Sequence, residues 1–291
     1  VEASRGIIYD RNGTILAMSA SAEDIFLSPK EIVENDQDQN LIANGLAEIL
    51  NLDAADILKK MEKTNSQYEI LKKKADDELA DKVREFINEN ELRGVFLRPT
   101  SKRSYPKGTL ASQVIGFAND NGGAYGLEAT FDDDLSGKNG LVVTAKNAKG
   151  TDLLNFFQDY YDAESGSSLR LTLDSSIQSM CEDALKSAIE KNDVQDGGVA
   201  IAMSCKTGAI LGMASLPNYD LNNYGTVIDE TLLANLESSA REYLTKNPEK
   251  TQEEAQQWAY SNAVNIMWRN KAVNDTYEPG STFKNVVLAS A

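Results

Sequence analysis

Near the start of the chain, apolar residues come in two short runs, Gly6-Ile7-Ile8-Tyr9 and Thr14-Ile15-Leu16-Ala17, separated by Asp10-Arg11-Asn12-Gly13. Asn-Gly between apolar runs favours a tight hairpin, because both residues tolerate positive φ. The spacing therefore predicts two paired strands. Beyond them the apolar period lengthens to that of a helix. Asp53 can cap a segment with Ile57, Leu58 and Met61 on one side, and Leu79, Val83, Phe86 and Ile87 recur at helical spacing. Two or three helices are expected here. From Val95 to Gly126 the pattern turns extended, broken by Pro99, Pro106, Gly108, Gly116 and an Asn121-Gly122-Gly123 turn.

A polar stretch at 162–168 precedes an apolar-polar alternation, Leu169 to Leu173, that reads as a strand, and a domain boundary is expected at this stretch. Asp174 can cap the helix that follows. Its stripe of Ile177, Met180, Cys181, Ala184, Leu185, Ala188 and Ile189 steps by three and four, so that face must pack on something. Val199–Met203 and Ala209–Ala214 then form a second hairpin around Ser204-Cys205-Lys206-Thr207-Gly208. Their nearly continuous apolar character predicts central strands covered on both faces. One further helix carries Leu232, Leu233, Leu236 and Ala240, and another opens with the capping box Thr251-x-x-Glu254 and runs to Trp268.

Composition narrows the chemistry. The 291 residues include 45 acidic and 29 basic side chains, a formal charge of -16 that repels phosphate backbones, so nucleic acid is not an expected partner. Histidine is absent, which excludes Ser-His-Asp and Cys-His mechanisms and imidazole metal sites. Cys181 and Cys205 are too few for a disulfide framework or a zinc site; they read as a core thiol and a partly exposed one, with pairing between them open. Asn119, Asn121 and Glu128 lack calcium-loop spacing and read as a turn, and Asp132-Asp133-Asp134 as solvated charge. No metal or cofactor is implied. No run approaches the roughly 18 to 20 apolar residues that span a bilayer, and with no initiator Met among Val1-Glu2-Ala3-Ser4, an upstream anchor or signal is left open.

Without histidine, a serine acyl-transfer enzyme needs another base, and lysine is the recurrent substitute. The pattern Ser-x-x-Lys occurs twice, at Ser104–Lys107 and Ser281–Lys284. Pro106 blocks a helix through the first, whereas Pro279-Gly280 leads into the second and Asn285-Val286-Val287-Leu288-Ala289 continues it as a helix. A three-residue interval on a helix puts hydroxyl and amine on one face. Pattern and context leave open that Ser281 is an ordinary helix cap and Lys284 a surface residue.

The longer string Trp268-Arg269-Asn270-Lys271-Ala272-Val273-Asn274-Asp275-Thr276-Tyr277-Glu278-Pro279-Gly280-Ser281-Thr282-Phe283-Lys284 closely resembles the approach to the active serine in class B penicillin-binding proteins. Two earlier blocks resemble motifs of that family's N-terminal pedestal: residues Arg5 to Ala17, and Arg103-x-Tyr105-Pro106-x-Gly108 with Tyr125-Gly126-Leu127-Glu128 and Leu135-Ser136-Gly137. The resemblance implies an α+β chain: an elongated β-rich pedestal of dimerisation type over residues 1–165, then the N-terminal part of an α/β penicillin-binding transpeptidase domain over 166–291.

It further implies a peptidoglycan DD-transpeptidase with Ser281 as nucleophile and Lys284 as general base. Its expected partners are peptidoglycan stem peptides, beta-lactam antibiotics and, through the pedestal, cell-wall synthesis proteins. Its expected place is the extracytoplasmic face of the bacterial cell membrane, held by an anchor absent from this chain. The family's other two motifs, Ser-x-Asn and Lys-Thr-Gly, fall downstream of the serine, and only ten residues follow Ser281. Lys206-Thr207-Gly208 precedes it and reads as a turn sequence. The fragment is therefore expected to be inactive. Two rival classes are a non-catalytic docking module and a serine beta-lactamase or beta-lactam sensor; the pedestal blocks argue against the latter.

Overall fold

The computed structural model describes residues 3–143 and 159–290. The chain forms two compact units that interleave along the sequence. One contains Val1–Gly6, Met18–Ser104 and Ser136–Ser167; the other contains Ile7–Ala17, Tyr105–Leu135 and Ser168–Ala291.

The predicted hairpin forms. β1 (Ile8–Tyr9) pairs antiparallel with the first residues of β2 (Ile15–Leu27), Ile8 facing Ala17 and Tyr9 facing Ile15. Asp10 builds the turn, its Oδ1 accepting the N–H groups of Asn12 and Thr14, each at 2.8 Å.

From Met18 onward β2 belongs to the first unit. There the chain continues through α1 (Pro29–Glu34), α2 (Gln39–Leu50), α3 (Ala54–Met61), β3 (Glu69–Ala75), α4 (Asp77–Glu89) and β4 (Val95–Ser104). Asp38, Asp53 and Asp76 cap α2, α3 and α4 through their carboxylates. β2 lies between β3 and β4 and pairs with β4 without a slip from Met18↔Ser104 to Leu27↔Val95. Alternation then sorts its side chains. Ile25 and Leu27 face a core with Ile42, Leu46, Ile57, Met61 and Val83, while Phe26 stacks on Phe96 across the sheet. Gly45 lets α2 approach α4: a Cβ there would lie 2.1 Å from the Phe86 ring.

The strand β3 is absent from the sequence reading. Its run Lys72-Lys73-Lys74 has no apolar alternation, and it is held by β2 across two register irregularities. At the second of these strands the Lys74 N–H reaches Asp24 Oδ1 at 3.0 Å, and Arg98 binds the other carboxylate oxygen at 2.8 Å. Tertiary pairing overrides local propensity here.

In the second unit, Tyr105 leads to α5 (Ser112–Ile115), a short ladder of β5 (Ala118–Asn119) with β6 (Gly122–Gly123), α6 (Gly126–Thr130) and α7 (Asp132–Leu135). Asn119 Oδ1 accepts the Asn121 N–H, which makes this the expected turn. Asp132 is not merely solvated: its Oδ1 accepts the Gly123 N–H at 2.7 Å and closes the loop. The chain then returns to the first unit as β7 (Leu141–Val143), paired antiparallel with β8 (Asp159–Tyr161).

β9 (Leu169–Arg170) runs parallel to β1 and is shorter than the predicted strand. Leu171 and Leu173 still bond to the hairpin, through Tyr9 O and the Arg11 N–H, but form no continuous ladder. Asp174 caps α8 (Ser175–Asn192) as predicted. β10 (Gly198–Met203) and β11 (Ile210–Leu216) form the second hairpin. Ile177, Cys181, Leu185 and Ile189 of α8 are half-buried, Cys181 and Leu185 lying close over Gly212 and Gly198 of the hairpin; Met180, Ala184 and Ala188 are exposed, so only part of the predicted stripe is packed. Coverage of β10 is likewise one-sided. Its other face leaves Val199, Ile201 and Met203 at 45%, 51% and 57% exposure.

Asn235 divides the helix expected around Leu232–Ala240 into α9 (Glu230–Ala234) and α10 (Leu236–Lys246). The capping box of Thr251 and Glu254 opens α11 (Gln252–Trp268). Then come α12 (Lys271–Asn274), a 3₁₀ turn at Gly280–Phe283 and α13 (Lys284–Ser290). The main core of this unit joins Ile8 and Leu16 of the hairpin to Tyr105, Phe117, Tyr219, Val264 and Met267.

Candidate active site

Ser281 lies within the 3₁₀ turn, and Lys284 is the first residue of α13. Gly280 precedes them at φ +53°, a conformation that costs a residue with a Cβ. The Lys284 N–H donates to the carbonyls of Ser281 and Thr282, so the turn runs without a break into α13. Residues three apart on such a continuous helical turn lie on one face of it. Sequence reasoning expects an α-helix from Ser281; the first turn is instead wound more tightly. No hydrogen bond joins the two side chains, and both are exposed. The apolar residues of α13 are bare as well, Leu288 at 79% exposure.

The other two matches to short patterns take different places. Ser104 ends β4 and Tyr105 to Lys107 enter a turn closed by the Gly108 N–H on Tyr105 O, so no helix aligns Ser104 with Lys107. Lys206-Thr207-Gly208 forms the tip of the second hairpin. Its Gly208 N–H bonds to Ser204 O at 2.8 Å, with Gly208 at φ +72°. Cys181 and Cys205 are both free, the first half-buried and the second exposed.

The approach to Ser281 is tied down at its start. Asn270 caps α12 by accepting the Ala272 N–H, and Arg269 pairs with Asp275 while donating to Asn274 O at 2.7 Å. Trp268 Nε1 donates to Tyr224 O at 2.8 Å. Its ring joins a cluster in which Phe117 stacks on Tyr224 at 3.8 Å and on Tyr125 at 5.3 Å between centroids. Phe117 and Tyr224 carry no local sequence signal, because their partners are distant in the chain.

The sequence blocks also meet within each unit. In the first, Arg103 Nη1 donates to Gly6 O at 2.7 Å, Arg5 Nη1 donates to Ser136 Oγ at 2.8 Å, and a Cβ on Gly6 would strike Ser167 O at 1.9 Å. In the second, the Tyr105 hydroxyl accepts the Ala118 N–H and donates to buried Glu128.

Two carboxyls in the second unit are perturbed in opposite directions. Burial would raise the Asp10 pKa, but bonds from the Ser175 hydroxyl and from the N–H groups of Thr14, Ser175 and Asn12 outweigh it and lower it to about 2. Burial pushes Glu182 up, although Gln178 Nε2 and the Ala111 N–H donate to it at 2.7 and 2.8 Å. Gln178 itself is buried and brackets Met213, donating to its carbonyl and accepting its N–H. Neither glutamine nor glutamate is marked by any motif.

Residues 1–171 match the penicillin-binding protein dimerisation domain, and residues 198–291 match the penicillin binding protein transpeptidase domain. Stage V sporulation protein D of Bacillus subtilis is 34% identical over 293 residues, covering 100% of this chain and 38% of that protein. The peptidoglycan D,D-transpeptidase FtsI of Buchnera aphidicola is 30% identical over 290 residues, covering 99% of this chain and 44% of that protein. The chain thus spans less than half the length of these relatives. A solved complex between penicillin-binding protein PBP2 and MreC from Helicobacter pylori shares its fold over 77% of this chain and 43% of that chain, with a TM-score of 0.56 at 23% identity. With a dimerisation-domain match over more than half its length and a transpeptidase match after it, in the order of the sequence blocks, the chain belongs to the class B penicillin-binding proteins.

Proposed function

We propose that the protein from which this chain derives is a serine DD-transpeptidase of peptidoglycan, with Ser281 as nucleophile and Lys284 as its general base. The observation that supports this reading is the unbroken backbone turn that carries Ser281 and Lys284 three residues apart directly after Pro279-Gly280, within the stretch that matches the transpeptidase domain. In the reaction, Lys284 takes the proton of Ser281 Oγ as the oxygen attacks the penultimate D-Ala carbonyl of a stem peptide. The tetrahedral intermediate collapses, the C–N bond breaks and terminal D-Ala leaves with a proton. An amine of a second stem then attacks the ester, releases Ser281 and forms the cross-link. Beta-lactams acylate the same oxygen and leave it blocked.

To take that proton the Lys284 amine must be held beside Ser281 Oγ and shielded from water. In this chain it is exposed, and the apolar sides of α13 and β10 are bare. The remainder of the transpeptidase domain is the cover that both surfaces fit, and without it the chain is inactive. Residues 1–165 serve as pedestal and 166–291 as the start of the catalytic domain, a division supported by the two domain matches. Cell-wall synthesis proteins dock on the pedestal. Among the described residues no helix is long and apolar enough to cross a membrane; an upstream segment anchors the protein to the extracytoplasmic face.

The test is acylation of the longer protein by a fluorescent penicillin. Ser281→Ala is expected to abolish labelling and Lys284→Ala to slow it by at least about 100-fold, within the range for loss of a general base. Undiminished labelling of Ser281→Ala would end the assignment, and labelling of Ser281 in the present chain would end the claim that it is inactive.

A further inference from the structure

A cleft of about 530 Å³ opens in the second unit among α5, α6, α11 and α12, apart from Ser281 and Lys284. Its size lies within the range of small-molecule sites. Two aromatic rings form one wall: Tyr125 and Trp268, centroids 4.8 Å apart and inclined at 56°. Both are held from behind, Tyr125 by the stacked Phe117 ring and Trp268 by its bond to Tyr224 O, and yet Tyr125 remains 39% exposed. Such a wall offers a rigid apolar face at little entropic cost.

The polar lining consists mainly of side-chain amides. Gln113 is locked, its Nε2 donating to Pro217 O and Met267 O, and Asn270 is committed as the α12 cap. Hydrogen-bonding capacity is left at the Asn265 amide, the Asn274 Oδ1, the Tyr125 hydroxyl and the Arg269 Nη1, none of which is bonded within the described residues. The one ionic group in the lining, Arg269, is already matched by Asp275. A charged ligand would therefore find no free counter-charge. What fits is an uncharged molecule with a flat C–H face and several hydroxyl and amide groups.

We infer that this cleft binds an N-acetylhexosamine unit of a glycan, the ring seated on Tyr125 and Trp268 and its acetamido and hydroxyl groups on Asn265, Asn274 and Arg269. That the natural glycan is the cell wall's own rests on the transpeptidase reading; the fit of the sugar does not.

The test follows Trp268 emission in this chain carrying Trp258→Phe, titrated with the tetramer of N-acetylglucosamine to millimolar concentration, with calorimetry on the unsubstituted chain as a second readout. A saturable response is expected, weakened at least fivefold by Asn265→Ala, an exposed position whose change leaves the far-ultraviolet spectrum intact. The glucose tetramer, which lacks acetamido groups, should bind at least fivefold more weakly. No saturation in either readout, equal binding of the two sugars, or saturation by a stem-type peptide ending in D-Ala-D-Ala but not by the sugar would each overturn the inference. Penicillin labelling of Ser281 in the longer protein is a separate readout, so loss of one reading leaves the other standing.

Discussion

The lobe of residues 18–104 and the segment from β10 to α13 carry comparable apolar patterns, but they treat them differently. In the lobe, Ile25 and Leu27 of β2, Ile42 and Leu46 of α2 and Val83 of α4 are all fully buried against one another. In the segment, the outer side of β10 and most of α13 face solvent. Apolar periodicity says which face needs a cover; it does not say where in the chain the cover is encoded. The lobe finds every partner between Ile25 and Leu97, and so closes its core alone. The segment has α8 on one side of its hairpin; on the other, within the described residues, only α12 reaches it, through Met213 and Ser215 of β11, and Val199, Ile201 and Met203 of β10 stay exposed.

The largest effect expected from this contrast lies in the lobe. Leu46→Ala removes a fully buried side chain from that core, and it should cost about 3 kcal/mol. Both tryptophans, Trp258 and Trp268, lie in the other unit. Unfolding of the lobe is therefore best read by hydrogen exchange of the α2 amides, which should speed up by roughly 100-fold, the same energy expressed as an opening constant. If those amides were unaffected, the lobe would not be the self-sufficient core that the contrast requires.

What the sequence disclosed follows the same line. Asp53, Asp174 and Thr251 mark helix starts because a cap is an interaction within three residues. The first hairpin is legible because Asp10 to Gly13 settle it locally. The lysine-rich β3 was illegible, since only pairing to β2 makes it a strand. The interleaving of the units was equally hidden: the bonds of Arg103 to Gly6 and of Ser175 to Asp10 span long stretches of chain and leave no periodic trace. For the site, spacing singled out Ser281 and Lys284 as candidates, but no pattern announced that Tyr125, Trp268 and Asn265 would line one cleft.

An intermediate effect separates the two perturbed carboxyls of the second unit by their pH windows. Asp10 has a folded pKa of about 2 against an ordinary 3.8. Its contribution is therefore complete above about pH 4 and is lost as pH falls through 2, an amount of about 2 kcal/mol. Glu182 has the opposite sign: its raised pKa favours the protonated form, so that contribution is present at low pH and lost as pH rises above its ordinary 4.5. Asp10→Asn should flatten the acid limb of a stability-against-pH curve followed by Trp268 emission, and Glu182→Gln should flatten only the limb above it. A D10N curve that keeps its full acid slope would mean that the bonds from Thr14, Asn12 and Ser175 do not hold the charge.

The smallest effect is the sharpest test of the comparison. Ile201 sits mid-strand in β10 with its side chain on the uncovered face. Because water already surrounds about half of that side chain, Ile201→Thr removes little burial, and threonine keeps the β-branch that a strand prefers. In the present chain the change should alter stability by less than about 0.5 kcal/mol and reduce self-association, because it breaks up an apolar face. In the longer protein, where the rest of the transpeptidase domain is proposed to cover this face, the same substitution buries a hydroxyl without a partner and should cost about 1 to 3 kcal/mol. Chemical denaturation of both proteins reads the difference directly. A small effect in both would show that β10 stays uncovered in the longer protein, and a large effect in both would show that this chain already covers it with a second copy of itself.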